Sequence, residues 1–366
     1  MLHKQRTVTR ALLSVTAALS TFTCAINPAA AVSLQFVQSF GTSGSGNGQF
    51  NAPVGVAVDN SGKVFVSDTF NDRIVSFDPT NFASTFSSFG TSGSGNGQFT
   101  FPFGVAVDSN GKVFVADSSN SRIVSFDPTN FASTFSSFGT SGSGNGQFDA
   151  PVGVAVDNNG KVFVTDPNKD RIVSFDPTNF GGTFSSFGTS GSGNGQFFNP
   201  TAIAVDNSGK VFVADLFNDR IVSFDPTNFA STFSSFGTSG SGNGQFLGPF
   251  GVAVDNSGNV FVVDTDNNRI VSFDPTNFDG TFSSFGTFGS GNGQFLGPVA
   301  VAVDNNGNVF VADGSFGGND RIVQLSVVNA AATAVPEPSE IVGTLLAAGS
   351  AVVIRRRLRH KHENKV

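Results

Sequence analysis

Six copies of Gly-Gln-Phe stand 49 residues apart, with their phenylalanines at Phe50, Phe99, Phe148, Phe197, Phe246 and Phe295. An interval that does not vary imposes a repeat architecture, in which each unit buries its apolar faces against its neighbours. One unit shows the grammar. Gly55-Val56-Ala57-Val58 is a short apolar run, and Asp59-Asn60-Ser61-Gly62 is a turn. Val64-Phe65-Val66 is a second run of β-branched and aromatic residues, and Arg73 to Phe77 is a third. Asp78-Pro79-Thr80-Asn81 is another turn, because proline fixes φ and aspartate caps its own backbone. Ala83 to Phe89 reads as a fourth strand, with no helix candidate in the unit. A Gly/Ser stretch, Gly90 to Gly97, leads to the next unit and reads as a flexible connector.

The inner runs lack a clean alternation of apolar and polar residues, which implies burial on both faces. Four short strands per unit, stacked on two neighbours, predict an all-β, six-bladed β-propeller of four-stranded blades. The sixth unit ends at Arg321-Ile322-Val323-Gln324-Leu325 with no fourth strand after it. Leu34 to Gly41 matches the fourth-strand segment Ser84 to Gly90 of the first unit. The N-terminal strand is therefore expected to complete blade six and close the ring. Pro53-Val54-Gly55-Val56-Ala57-Val58-Asp59, Gly62 to Asp68 and Asn71-Asp72-Arg73-Ile74 resemble the NHL repeat, six times over residues 32 to 326. The resemblance implies a fold and no single activity, because this propeller serves ligases, lyases, RNA binders and scaffolds.

The chemistry available to the repeats is narrow. Residues 32 to 326 contain no His, Cys or Glu, and 24 Asp stand against 11 Lys plus Arg, about 13 negative charges. Such a body repels phosphate backbones, so nucleic acid is not an expected partner. Zinc lacks its usual His and Cys ligands. No His is present to activate a serine, so the chain is expected not to be an enzyme. Asp68, Asp117, Asp166, Asp215, Asp264 and Asp313 end the second strands, and Arg73, Arg122, Arg171, Arg220, Arg269 and Arg321 begin the third. These are expected to be structural Asp–Arg pairs. The alternative is a carboxylate ring for calcium, which takes oxygen ligands; otherwise no cofactor or metal is expected.

The two ends carry addresses. Lys4, Arg6 and Arg10 precede an apolar run and the small residues Ala29-Ala30-Ala31, the order of a secretory signal peptide over residues 1 to 31. After a linker, 327 to 335, the order Pro336-Glu337-Pro338, an apolar stretch 341 to 354 and Arg355-Arg356-Arg357 resembles the bacterial PEP-CTERM sorting signal. That resemblance implies an exosortase-type processing partner, a short membrane helix before processing, and delivery to the cell envelope, cell surface or extracellular matrix.

Variation among the copies points to one face. The turn Phe-Asp-Pro-Thr-Asn-Phe is identical in the five copies that have it. The loops between second and third strands differ, as do the segments leading into each blade. Both fall on one side of a propeller, the top. Phe70, Phe101, Phe103, Phe217 and Phe316 are the candidate binding residues there. The expected function is an exported binding or scaffold protein for an extracellular polysaccharide or a surface protein. The alternatives are a matrix-acting lyase or hydrolase and a purely structural surface protein.

Overall fold

The computed structural model describes residues 31–314 and 317–329. Residues 1–30 of the signal peptide expected over residues 1 to 31, and the PEP-CTERM-like segment from 336, lie outside the described residues. The rest is six four-stranded antiparallel sheets arranged as a six-bladed propeller. In the first blade the strands run Pro53–Val58, Val64–Asp68, Arg73–Phe77 and Ser87–Phe89, from the inside outwards. The inner strands of adjacent blades neighbour one another around the axis. Hydrogen bonds cross the blade boundaries there: the Thr69 hydroxyl donates to the Pro102 carbonyl at 2.7 Å and the Gly104 N–H to the Val152 carbonyl at 2.8 Å.

Closure occurs as the unmatched ends require. Val32–Phe40 forms the outer strand of the sixth blade and pairs antiparallel with Arg321–Asn329. Phe40 sits opposite Ile322, the register that Phe89 takes opposite Ile74 in the first blade. The Val32 carbonyl also accepts a 2.9 Å hydrogen bond from the Ser272 hydroxyl of blade five. The joined strand is thus tied to two blades.

Phenylalanine fills the space between blades. Phe50, Phe65 and Phe77 and their counterparts are almost completely buried. A phenyl ring has no polar atom to satisfy, so it can be buried whole where Tyr or Trp would need a partner. The Gly-Gln-Phe ring lies under the glycine loop. A Cβ on Gly41 would stand 2.3 Å from the Phe50 ring, and the residue's φ of +89° is one that glycine alone adopts at little cost.

Two local expectations are corrected. Phe82–Thr85 is a single helical turn, so the outer strand is only Ser87–Phe89. The Thr85 hydroxyl accepts the Asp78 N–H and donates to the Asn81 carbonyl, both at 2.8 Å, which closes the turn. The glycine stretches are not loose connectors either. Thr42–Ser43 pairs in parallel with Gln49–Phe50, and the Gln49 side chain accepts from the Gly46 N–H and donates to the Ser43 carbonyl.

Candidate functional site

At the top end of each blade an Asp and an Arg sit directly opposite one another across two strands, as Asp68 and Arg73 do. Asp68 is fully buried. One carboxylate oxygen accepts the Asn51 N–H at 2.7 Å; the other accepts Asn71 Nδ2 at 2.8 Å and Arg73 Nε at 2.7 Å. The remaining Arg73 nitrogens donate to the carbonyls of Ser45, Gly46 and Gln49. One guanidinium therefore holds both the strand end and the preceding glycine loop. The five other pairs repeat this ion contact: Asp117–Arg122, Asp166–Arg171, Asp215–Arg220, Asp264–Arg269 and Asp313–Arg321, at 2.7 to 2.9 Å. In all six, burial pushes the carboxyl above its ordinary range, opposed by its hydrogen bonds and the arginine. Each carboxylate faces its own blade. No group of three or more His, Cys, Asp or Glu that could hold a metal gathers among the described residues.

This frame fixes the variable loops. Thr69–Asn71 is one turn of 3₁₀ helix, ended by Asp72 in the left-handed region at φ 49°. The Asp72 carboxylate accepts the Phe101 N–H of the next blade at 2.9 Å. Phe101 is itself left-handed, at φ 53°, an uncommon state for a bulky residue. Its ring meets Phe70 edge-on, with centroids 5.4 Å apart, and both remain 38% exposed. Two expected residues from different blades thus form one aromatic unit.

The other expected residues separate. Phe217 pairs with Phe198, centroids 5.1 Å apart, and is 58% exposed. Phe103 is half-buried at the mouth of the central channel. There it lines an apolar funnel of about 480 Å³ with Val54, Val152, Leu216, Phe250 and Val299. Phe316 lies outside the described residues. Sequence reasoning missed Phe198, Phe250 and Leu216. The Phe198 signal was present in the variable segment leading into blade four, whereas Phe250 repeats the Phe103 position three blades on. Phe288, 69% exposed, was also missed, although it replaces a serine found in the other five glycine loops.

Fold and frame together define a six-bladed β-propeller that carries NHL repeats. The NHL repeat model matches residues 99–126 and 246–273. No curated protein matches the chain. Among solved structures it is similar to a virginiamycin B lyase from Staphylococcus aureus, at 14% identity and a TM-score of 0.53, covering 81% of this chain and 100% of that one. A gluconolactonase from Xanthomonas campestris aligns at 14% identity and a TM-score of 0.57, covering 83% and 99%. An auxiliary nutrient binding protein from Bacteroides thetaiotaomicron aligns at 14% identity and a TM-score of 0.58, covering 81% and 77%.

These neighbours correct one expectation. The chain was expected not to be an enzyme, on the ground that its repeats lack His, Cys and Glu. The same fold is carried by a lyase and a gluconolactonase, as well as by a binding protein. A scaffold shared by enzymes and binders gives no basis for setting catalysis aside.

Proposed function

We propose that the chain is an exported binding or scaffold module of the cell surface or extracellular matrix, holding a polysaccharide or a surface protein on its top face. The observation that carries this reading is the exposed phenylalanine pairs, Phe70–Phe101 and Phe198–Phe217, set around an apolar funnel on a frame of buried ion pairs. Exposed apolar groups fixed on a rigid base suit recognition, because little conformational freedom is lost on binding. Export rests on the signal-like and PEP-CTERM-like segments.

The test is binding of the purified full chain to the producing cell's extracellular polysaccharide fraction, with and without a calcium chelator. Saturable binding that falls at least tenfold in a Phe70→Ser, Phe217→Ser variant supports the top face. Undiminished binding by that variant removes it. Loss on chelation would add calcium to the site. A second reading, a matrix-acting lyase or hydrolase, is favoured by the funnel's volume, which lies within the range of small-ligand pockets. Its check is chromatography of the polysaccharide after incubation, where shortened chains would support it.

A further inference from the structure

The six blade junctions are not equivalent on the top face, and the one between blades four and five carries a groove. At the junction of blades one and two, Phe101 follows the Gly-Gln-Phe motif by two residues and fills the space beside Phe70. At the junction of blades four and five the corresponding residue is Gly248, with nearly the same backbone, φ 58° against 53°. Phe217, the counterpart of Phe70, turns to Phe198 of its own blade instead. A groove of about 330 Å³ is left, lined by Leu216, Phe217, Leu247 and Phe250 together with the carboxylates of Asp219 and Asp266. It shares Leu216, Phe250 and Thr265 with the central funnel, so the two adjoin.

Charge and size narrow the occupant. Two carboxylates face the groove, and no Lys or Arg lines it. Asp219 spends one oxygen on the Gly248 N–H at 2.9 Å. Asp266 is exposed, and among the described residues no donor hydrogen-bonds to its carboxylate. The volume lies at the low end of small-ligand pockets, which fits a compact ring better than an extended chain. We infer that the groove between blades four and five binds an amino-sugar ring carrying a free, protonated amine, as part of a polysaccharide. The ammonium group meets Asp266 and Asp219 through charge-assisted hydrogen bonds, while the ring's C–H face lies on Phe217 and Leu247. This rests on the proposed polysaccharide-binding role and specifies its ligand.

The experiment is calorimetric titration of the full chain with a glucosamine oligomer, its fully N-acetylated counterpart and an oligolysine of similar charge, beside the extracellular polysaccharide fraction. The glucosamine oligomer is expected to bind at least tenfold more tightly than the acetylated one, and more weakly as salt rises. Asp266→Asn should reduce that binding at least tenfold. Gly248→Phe restores the residue found at the blade one–two junction and should abolish it. A Cβ there meets Asp266 Oδ2 at 2.7 Å, the movable end of a side chain, and Phe101 holds nearly the same left-handed backbone at its own junction, so the fold should survive at some cost in stability, with a cooperative melting transition as the control. Equal binding of the two oligomers, or full binding by Gly248→Phe, overturns the inference. Binding of oligolysine alone assigns the groove to a basic polypeptide and also overturns it. If the polysaccharide fraction binds and the glucosamine oligomer does not, only the inference fails. If neither binds, polysaccharide binding fails as the proposed function and a surface protein is left as its partner.

Discussion

The two ends of a blade use aspartate in opposite ways. At the top, Asp68 is buried under Arg73 and organises groups distant in sequence: the strand end, the 3₁₀ turn and the glycine loop. At the bottom, Asp78 lies at the surface and bonds its own turn, accepting the Thr80 N–H at 2.8 Å and the Thr80 hydroxyl at 2.7 Å. The bottom turn is identical in all five copies, whereas the top loops differ. A turn that is its own support can change only the residues whose side chains it does not use, as the turn after the first strand does in keeping Asp59 and Gly62 while its second, third and fifth residues vary. A loop held by an external hub can change every residue that does not touch the hub. The position of the support therefore decides which residues of a loop are free to vary.

The hub should be costly to break. Arg73→Ala leaves the Asp68 carboxylate buried without its cation and frees three carbonyls of the glycine loop. Removing one partner of a buried pair costs about 3–5 kcal/mol, and denaturant unfolding should show a loss near the lower figure, because Arg73 is 13% exposed. A loss as small as that of a surface pair, under about 1 kcal/mol, would mean that the top loops, like the bottom turns, support themselves.

Titration should separate the two ends. Burial raises the carboxyls of Asp68 and its five counterparts above their ordinary value of 3.8. The threonine hydrogen bonds lower those of Asp78, Asp127, Asp176 and Asp225. For the top set, the folded chain holds protons that the unfolded chain has released. Their contribution to stability is full below 3.8 and is lost as pH rises through the folded value. For the bottom set it is present above 3.8 and lost as pH falls through the folded value. Carboxyl carbon chemical shifts followed against pH should resolve two populations on either side of 3.8. A single population would erase the distinction between the ends.

A bottom turn should tolerate damage better than the hub. Thr85→Ala removes one hydroxyl that both accepts from the Asp78 N–H and donates to the Asn81 carbonyl. A typical net value for such bonds gives a loss of about 1 kcal/mol, measurable by the same unfolding curves.

The repeat period exposed the blades, their closure and the Asp–Arg rows, because each of these recurs at a fixed offset along the chain. What it concealed crosses blade boundaries or depends on reach. The Phe70–Phe101 unit joins two copies of the repeat, and no local pattern reports which side of a loop a ring will take. Arg73 bonds carbonyls 24 to 28 residues earlier, so the glycine loop's order is invisible in the glycines themselves. The helical turn at Phe82–Thr85 was missed because its support, the Thr85 hydroxyl and one backbone bond to the Asn81 carbonyl, lies within a segment of strand-like composition.

The smallest expected effect concerns the latches between blades on the top face. Asp72, Asp170, Asp219 and Asp320 each accept an N–H from the next blade, at Phe101, Asn199, Gly248 and Ala52, at 2.8 to 2.9 Å. Asn268 does the same to Gly297 at 3.2 Å. At the remaining junction the residue is Ser121, and no such bond reaches Ala150. Ser121 already has the left-handed backbone of its counterparts, φ 50° against 49° for Asp72, and aspartate tolerates that region well. Ser121→Asp should therefore supply the missing acceptor without backbone cost and stabilise the fold by about 0.5–1 kcal/mol, read as a raised melting temperature. Asp72→Ala should lower it by a comparable amount. If Asp72→Ala destabilises while Ser121→Asp changes nothing, the blade two–three junction is held by other contacts, and the latch is a property of particular junctions rather than of the repeat.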